Sequence, residues 1–149
     1  MPEANGLYTI ILDADDMLHK DYVRITKEKL TSLRSQGAGF AYTDSFLINE
    51  SGETIMEGHS TAFDSELLQT QSYIPGCGIT LTEALKGALP LDPSIRTSTK
   101  HARWKKIVAK GYSGVHIAKP LFHYRMHDNN TSGIGRRVAE DIRHGTFTM

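Results

Sequence analysis

Tyr8-Thr9-Ile10-Ile11-Leu12-Asp13-Ala14-Asp15-Asp16 decides how this chain is read, because a short apolar run ends abruptly in three carboxylates within four positions. A β-prone run of this length suits a buried strand, and acids at its carboxyl end lie where open α/β sheets place their ligands. Carboxylates crowded together repel, so without a cation at least one is expected to hold its proton more tightly than usual. Mg²⁺ or Mn²⁺ relieves that cost, since both prefer oxygen ligands and bridge protein carboxylate to phosphate. The structural alternative is a solvated turn in which Asp15 or Asp16 caps a helix beginning near Met17.

Bulk properties narrow the field. A chain of 149 residues buries one ordinary core, so one domain is expected. Seventeen basic residues balance seventeen acidic ones, which gives no electrostatic reason to expect nucleic acid or an anionic membrane as partner. Cys77 is the only cysteine, so neither an intrachain disulfide nor a cysteine-based zinc site is available. No apolar stretch approaches the ~20 residues that span a bilayer. The start, Met1-Pro2-Glu3-Ala4-Asn5-Gly6, lacks the basic residues and apolar core of a secretion signal, so a cytoplasmic location is expected.

Beyond the acids, Val23, Thr26, Leu30 and Leu33 recur at helical spacing, and the pattern predicts a helix over Met17 to Ser35 stopped by Gly37-Ala38-Gly39. Phe40 to Asp44 and Phe46 to Ile48 are β-prone and run through the turn residues Asn49 to Gly52 into Glu53 to Met56, which predicts a hairpin. Residues 58 to 72 read as a loop with a helical turn over Asp64 to Gln69. Pro75-Gly76-Cys77-Gly78 reads as a turn leading into a short helix from Ile79 to Lys86. Thr99 to Lys110 places Trp104, Ile107 and Val108 on one helical face, with Gly111 as its stop. Two strands, Gly114 to Ala118 and Leu121 to Arg125, are expected on either side of Lys119-Pro120. The residues from Asp128 onward are polar, with a helical turn expected over Val138 to Arg143.

These segments, in this order, resemble family 2 glycosyltransferases of the GT-A fold. Gly6 through Asp16 is similar to the family's Gly-x-Tyr strand with its Asp-x-Asp-Asp end, and Ala41-Tyr42-Thr43-Asp44 with the Ser51-Gly52 turn to the next strand and hairpin. Ile79 to Leu85 resembles the approach to the Gly-Gly-Phe-Asp-Glu motif, which appears here in weakened form as Leu89-Pro90-Leu91-Asp92-Pro93. Trp104 through Tyr112, Ile117 through Leu121, and Tyr124-Arg125-Met126-His127 resemble the closing helix, strand and Tyr-Arg-x-His motif. The resemblance implies an α/β fold, a truncated GT-A mixed sheet with flanking helices, over residues 1–132, followed by a polar tail over 133–149. It implies Asp13 and Asp15 as metal ligands for Mg²⁺ or Mn²⁺, His127 as a further ligand or donor to the diphosphate, and Arg125 as a phosphate-binding residue. The partners implied are a nucleoside diphosphate sugar and an acceptor hydroxyl that the sequence does not identify.

Two departures from the family pattern bear on activity. Members begin with a nucleotide-binding β-α-β half, whereas few residues precede the Asp-x-Asp strand here, so poor donor affinity is expected. Members also carry an acidic pair five and four residues before the helix tryptophan, which supplies the base for the acceptor hydroxyl. Those positions are Thr99 and Lys100 here, and Lys100 reverses the charge. His101 is the neighbouring candidate base, but a shift of one residue on a helix turns a side chain by about 100°. An exposed helix residue is the alternative for His101, and His116 and His123, alternating within a strand, are expected to face solvent. Trp104 reads as a core anchor, and Cys77 has no patterned base beside it.

Weak or absent turnover is therefore expected unless a partner chain supplies the missing strands. The competing reading is a non-catalytic glycosyltransferase remnant that self-associates through an exposed sheet edge, with a homodimer as the candidate assembly. A small metal-dependent phosphohydrolase is disfavoured, because no second acidic cluster of the kind a two-metal site needs is present.

Overall fold

The computed structural model describes residues 3–95 and 98–127, so the expected tail over 133–149 and its helical turn over Val138 to Arg143 lie outside the described residues. The chain folds as a mixed α/β structure whose central element is a six-stranded sheet. In chain order the strands are β1 (Tyr8–Ile10), β2 (Met17–Leu18), β3 (Ala38–Ile48), β4 (Thr54–Gly58), β5 (Ile79–Leu81) and β6 (Ser113–Arg125). The helices are α1 (Tyr22–Leu33), α2 (Leu67–Thr70), α3 (Thr82–Ala88) and α4 (Thr99–Ala109), with a 3-10 turn at Arg34–Gln36. The strands lie in the order β1-β5-β3-β6-β2, and β4 pairs with the far half of β3. Among the described residues only β3 and β6 run parallel; the other pairings are antiparallel. This mixed sheet with flanking helices is the arrangement expected of part of a GT-A-like fold.

Side-chain alternation along β3 explains the layering. Phe40 and Tyr42 point to one face and pack with Leu85 of α3 and with Trp104 and Ile107 of α4, while Ala41 on the opposite face meets Leu30 of α1 and Ile79. Each face of β3 therefore carries its own apolar layer, the reason nearly the whole strand is buried. The Phe40 and Trp104 rings stack at 4.7 Å and 24° between planes, which docks α4 on the sheet. Trp104 is only 1% exposed and its indole N–H donates to the Pro75 carbonyl at 3.1 Å, so its place as a core anchor is established.

Several local expectations are met. The hairpin of β3 and β4 forms, with Asn49 closing its turn by accepting the Glu53 N–H and donating to the Glu53 carboxylate. Gly37 and Gly111 follow their helices with φ of +89° and +91°, the left-handed conformation in which a side chain is strained. The turn within residues 58–72 is α2, started by Asp64, whose carboxylate accepts the Glu66 and Leu67 N–H groups.

Four expectations are corrected. The first helix starts at Tyr22 and not near Met17, because Met17 and Leu18 pair with His123 and Phe122 of β6 as strand β2. Its buried stripe is accordingly Tyr22, Thr26 and Leu30, while Val23 is 48% exposed. The structural alternative, in which Asp15 or Asp16 caps that helix, does not form, since Asp21 takes the position before α1 without a side-chain cap. Ile79 to Leu81 is strand and not helix, being held on one side by β1 and on the other by β3, and helix α3 begins only at Thr82. Lys119-Pro120 does not divide two strands: β6 is continuous, and Pro120 sits opposite Asp44 where the register with β3 slips, the place where a missing N–H is tolerated. Finally, His116 and His123 do not simply face solvent. His116 is bonded to Asp44 and stacked on Tyr42, and His123 lies between His19 and Phe46.

Candidate functional site

The chain leaves β1 at Ile10 and turns at once, with the Asp16 N–H reaching back to the Asp13 carbonyl at 3.2 Å. That turn gathers Asp13, Asp15 and Asp16, each of which offers an oxygen, all three oxygens lying within 4.8 Å of one another. Hard cations take oxygen donors, so the donor set fits a divalent ion such as Mg²⁺ or Mn²⁺. Asp16, which the sequence pattern alone gave no ligand role, is the most deeply buried of the three.

The end of β6 meets this turn. The Arg125 backbone N–H donates to Asp16 Oδ1 at 2.9 Å, and His127 Nε2 donates to Asp15 Oδ2 at 2.9 Å. Arg125 and His127 are thus brought to the aspartates from more than a hundred residues away in sequence. The Arg125 guanidinium donates to the Asp15, Asn49 and Glu50 carbonyls, which ties the acidic turn to the β3–β4 turn. In this conformation Arg125 acts first as a clamp.

The electrostatics follow from these contacts. Burial pushes the Asp16 carboxyl up to about 6, the charges of Asp15 and Asp13 adding to that effect while the Arg125 N–H opposes it. The hydrogen bond from His127 holds Asp15 below the ordinary carboxylate range, with smaller help from the Lys100 charge.

Helix α4 supplies a second wall. Lys100, Arg103 and Trp104 stand on one helical face, at spacings of three and four. Lys100 Nζ donates to Asp13 Oδ2 as an ion pair. Arg103, 7% exposed, donates to the Gly76 carbonyl, and its guanidinium carbon lies 4.7 Å from the Trp104 ring centroid. Its Nε is the one buried side-chain polar atom without a partner among the described residues. Two glycines admit this helix: a Cβ at Gly76 would land on the Lys100 side chain, and one at Gly78 would come 3.0 Å from Trp104 and 3.1 Å from the Ala41 carbonyl. Lys100 and Arg103 were not selected by motif; only the charge reversal at Lys100 hints at the first, and burial alone identifies the second.

His101 is placed differently. Its Nε2 bonds the Leu68 carbonyl of α2 at 2.6 Å, so that ring nitrogen donates its proton to a main-chain oxygen. Cys77 is buried against Tyr22, and burial pushes its thiol up to about 11, as befits an inert core cysteine. Sequence reasoning missed a further cluster. Asp44, buried in β3, accepts from His116 Nε2 at 2.7 Å, from the Ser60 N–H at 2.9 Å and from His59 Nδ1 at 3.3 Å. Burial alone would raise the Asp44 carboxyl, but these hydrogen bonds outweigh it and hold it below its ordinary range.

The chain is similar to a glycosyltransferase. It is 26% identical over 144 residues to "Putative teichuronic acid biosynthesis glycosyltransferase TuaG" of Bacillus subtilis (strain 168). The match covers 94% of this chain and 55% of that protein, so the chain spans about half the length of its relative. No protein-family model matches the chain. Among the described residues no helix is long and apolar enough to cross a membrane.

Proposed function

We propose that the acidic turn after β1 is the donor-diphosphate end of a family 2 type glycosyltransferase site, within a domain spanning residues 1–132 and followed by a polar tail over 133–149. The observation that carries the reading is the convergence of Asp13, Asp15 and Asp16 with His127 and Arg125 at one end of the sheet. Asp13 and Asp15, with His127, would hold Mg²⁺ or Mn²⁺, and Asp16 adds an oxygen to the same group. When bound, such an ion neutralises charge that builds on a departing diphosphate.

The chain's own residues supply the rest. An aspartate is ionised in the neutral range, and the hydrogen bond from His127 favours that charged form of Asp15 further. Arg125 offers a planar donor fork suited to phosphate oxygens, which it would turn to a ligand by giving up its carbonyl partners. No carboxylate occupies the customary base position, where Thr99 and Lys100 stand, and His101 is engaged with α2. Transfer from a nucleoside diphosphate sugar to an acceptor hydroxyl is therefore expected to be weak.

Calorimetric titration with UDP or GDP in the presence of Mn²⁺ tests the reading. Saturable, metal-dependent heat that Asp15→Ala abolishes is the expected result, and the absence of heat at millimolar nucleotide overturns it.

A further inference from the structure

We propose that Lys100 is a tethered competitor for the divalent cation, which enters the acidic turn only when the lysine leaves. The inference rests on the donor-site reading above and deepens it by naming what controls occupancy of that site. A divalent ion and a protonated amine ask the same thing of the site: both seek carboxylate oxygens, and both are repelled by a second cation at contact distance. The Lys100 ammonium already sits against Asp13 Oδ2, one of the three oxygens that converge on the turn.

Three features make this a built arrangement. Lys100 starts the helical face that continues through Arg103 and Trp104, and the latter two are fastened to the Gly76 and Pro75 carbonyls, so the lysine is aimed by an anchored helix. Gly76 leaves open the path the lysine side chain takes, since a Cβ there would occupy the position of its methylene carbons and approach Nζ. Charge completes the picture: the Lys100 ammonium pairs with Asp13, and its charge also acts on Asp15 and Asp16.

The tether is also releasable. The Lys100 and Asp13 side chains are 40% and 41% exposed, and a half-exposed ion pair on a flexible four-carbon stem is weak. Lys100 thus lowers the affinity of the turn for metal without closing it permanently.

Mn²⁺ binding followed by loss of the free-ion electron paramagnetic signal tests the proposal on the whole chain. Lys100→Met should bind Mn²⁺ about tenfold more tightly than the parent, Gly76→Ala several-fold more tightly by displacing the lysine, and Lys29→Met on the exposed side of α1 no differently. In the parent chain, covalent amine labelling read by mass spectrometry should find Lys100 protected without metal and reactive at saturating Mg²⁺. Equal Mn²⁺ affinity in parent and Lys100→Met, with binding still lost in Asp15→Ala, overturns the Lys100 proposal and leaves the donor-site reading standing. Absence of Mn²⁺ uptake in every variant overturns both.

Discussion

Asp16 shows how burial turns one side chain into a condition on stability. Its carboxyl is pushed up to about 6 inside the fold, against about 3.9 for an unfolded chain. The folded state therefore holds the proton more tightly. The corresponding stabilisation is complete below the unfolded value and is lost as pH rises through about 6. The gap of about two units corresponds to roughly 3 kcal/mol. Urea denaturation in metal-free buffer should show Asp16→Asn flattening the decline in stability between pH 4 and pH 7, and an unchanged slope contradicts the assignment. Asp44 tilts the other way, being held below its ordinary range, so its contribution is present above the unfolded value and lost as pH falls through the folded one. The aspartates of the acidic turn were legible as residues, since three acids closing an apolar run need only the sequence to be noticed. Asp44 was not legible, because its partners His116 and Ser60 reach it only through the pairing of β3 with β6 and the path of the chain after β4.

At the scale of elements, α4 links core and site. Trp104 stacks on Phe40 and hydrogen-bonds Pro75, and the same helix carries Lys100 to Asp13. Trp104→Ala should cost about 3 to 5 kcal/mol in chemical denaturation, as for other large buried aromatics, and a loss below about 1 kcal/mol contradicts its anchoring role. Helix α4 and the β3–β4 hairpin were legible because each is specified by its own residues: an apolar face with a glycine stop, and a turn sequence between β-prone runs. Strand β5 was not. Ile79-Thr80-Leu81 followed by Thr82-Glu83-Ala84 reads locally as the start of one helix, yet ladder partners on both sides extend its first three residues. The start of α1 shifted for the same reason, Met17 and Leu18 finding partners in β6.

Among the described residues, β1 ends the sheet with β5 as its ladder partner, beside a groove lined by Leu7, Tyr8, Ile10, Val23, Lys27 and Ile79. Leu7 is 52% exposed there. An open strand edge with apolar residues beside it favours pairing with another chain. If a second copy fills it, light scattering over a range of concentrations should show mass rising from monomer to dimer, and a constant monomer mass removes the homodimer expectation.

The sequence by itself determined the α/β class, the acid-tipped first strand, the hairpin and the closing helix. Those features depend on periodicity, turn residues and local composition, all carried by neighbouring positions. Only the tertiary structure decided that Lys100 is paired with Asp13, that Arg103 is buried beside it, that Arg125 clasps three carbonyls, and that β5 is a strand. These are contacts between residues far apart along the chain. Their energies come from ladder pairing and charge juxtaposition across the fold, which no local pattern records.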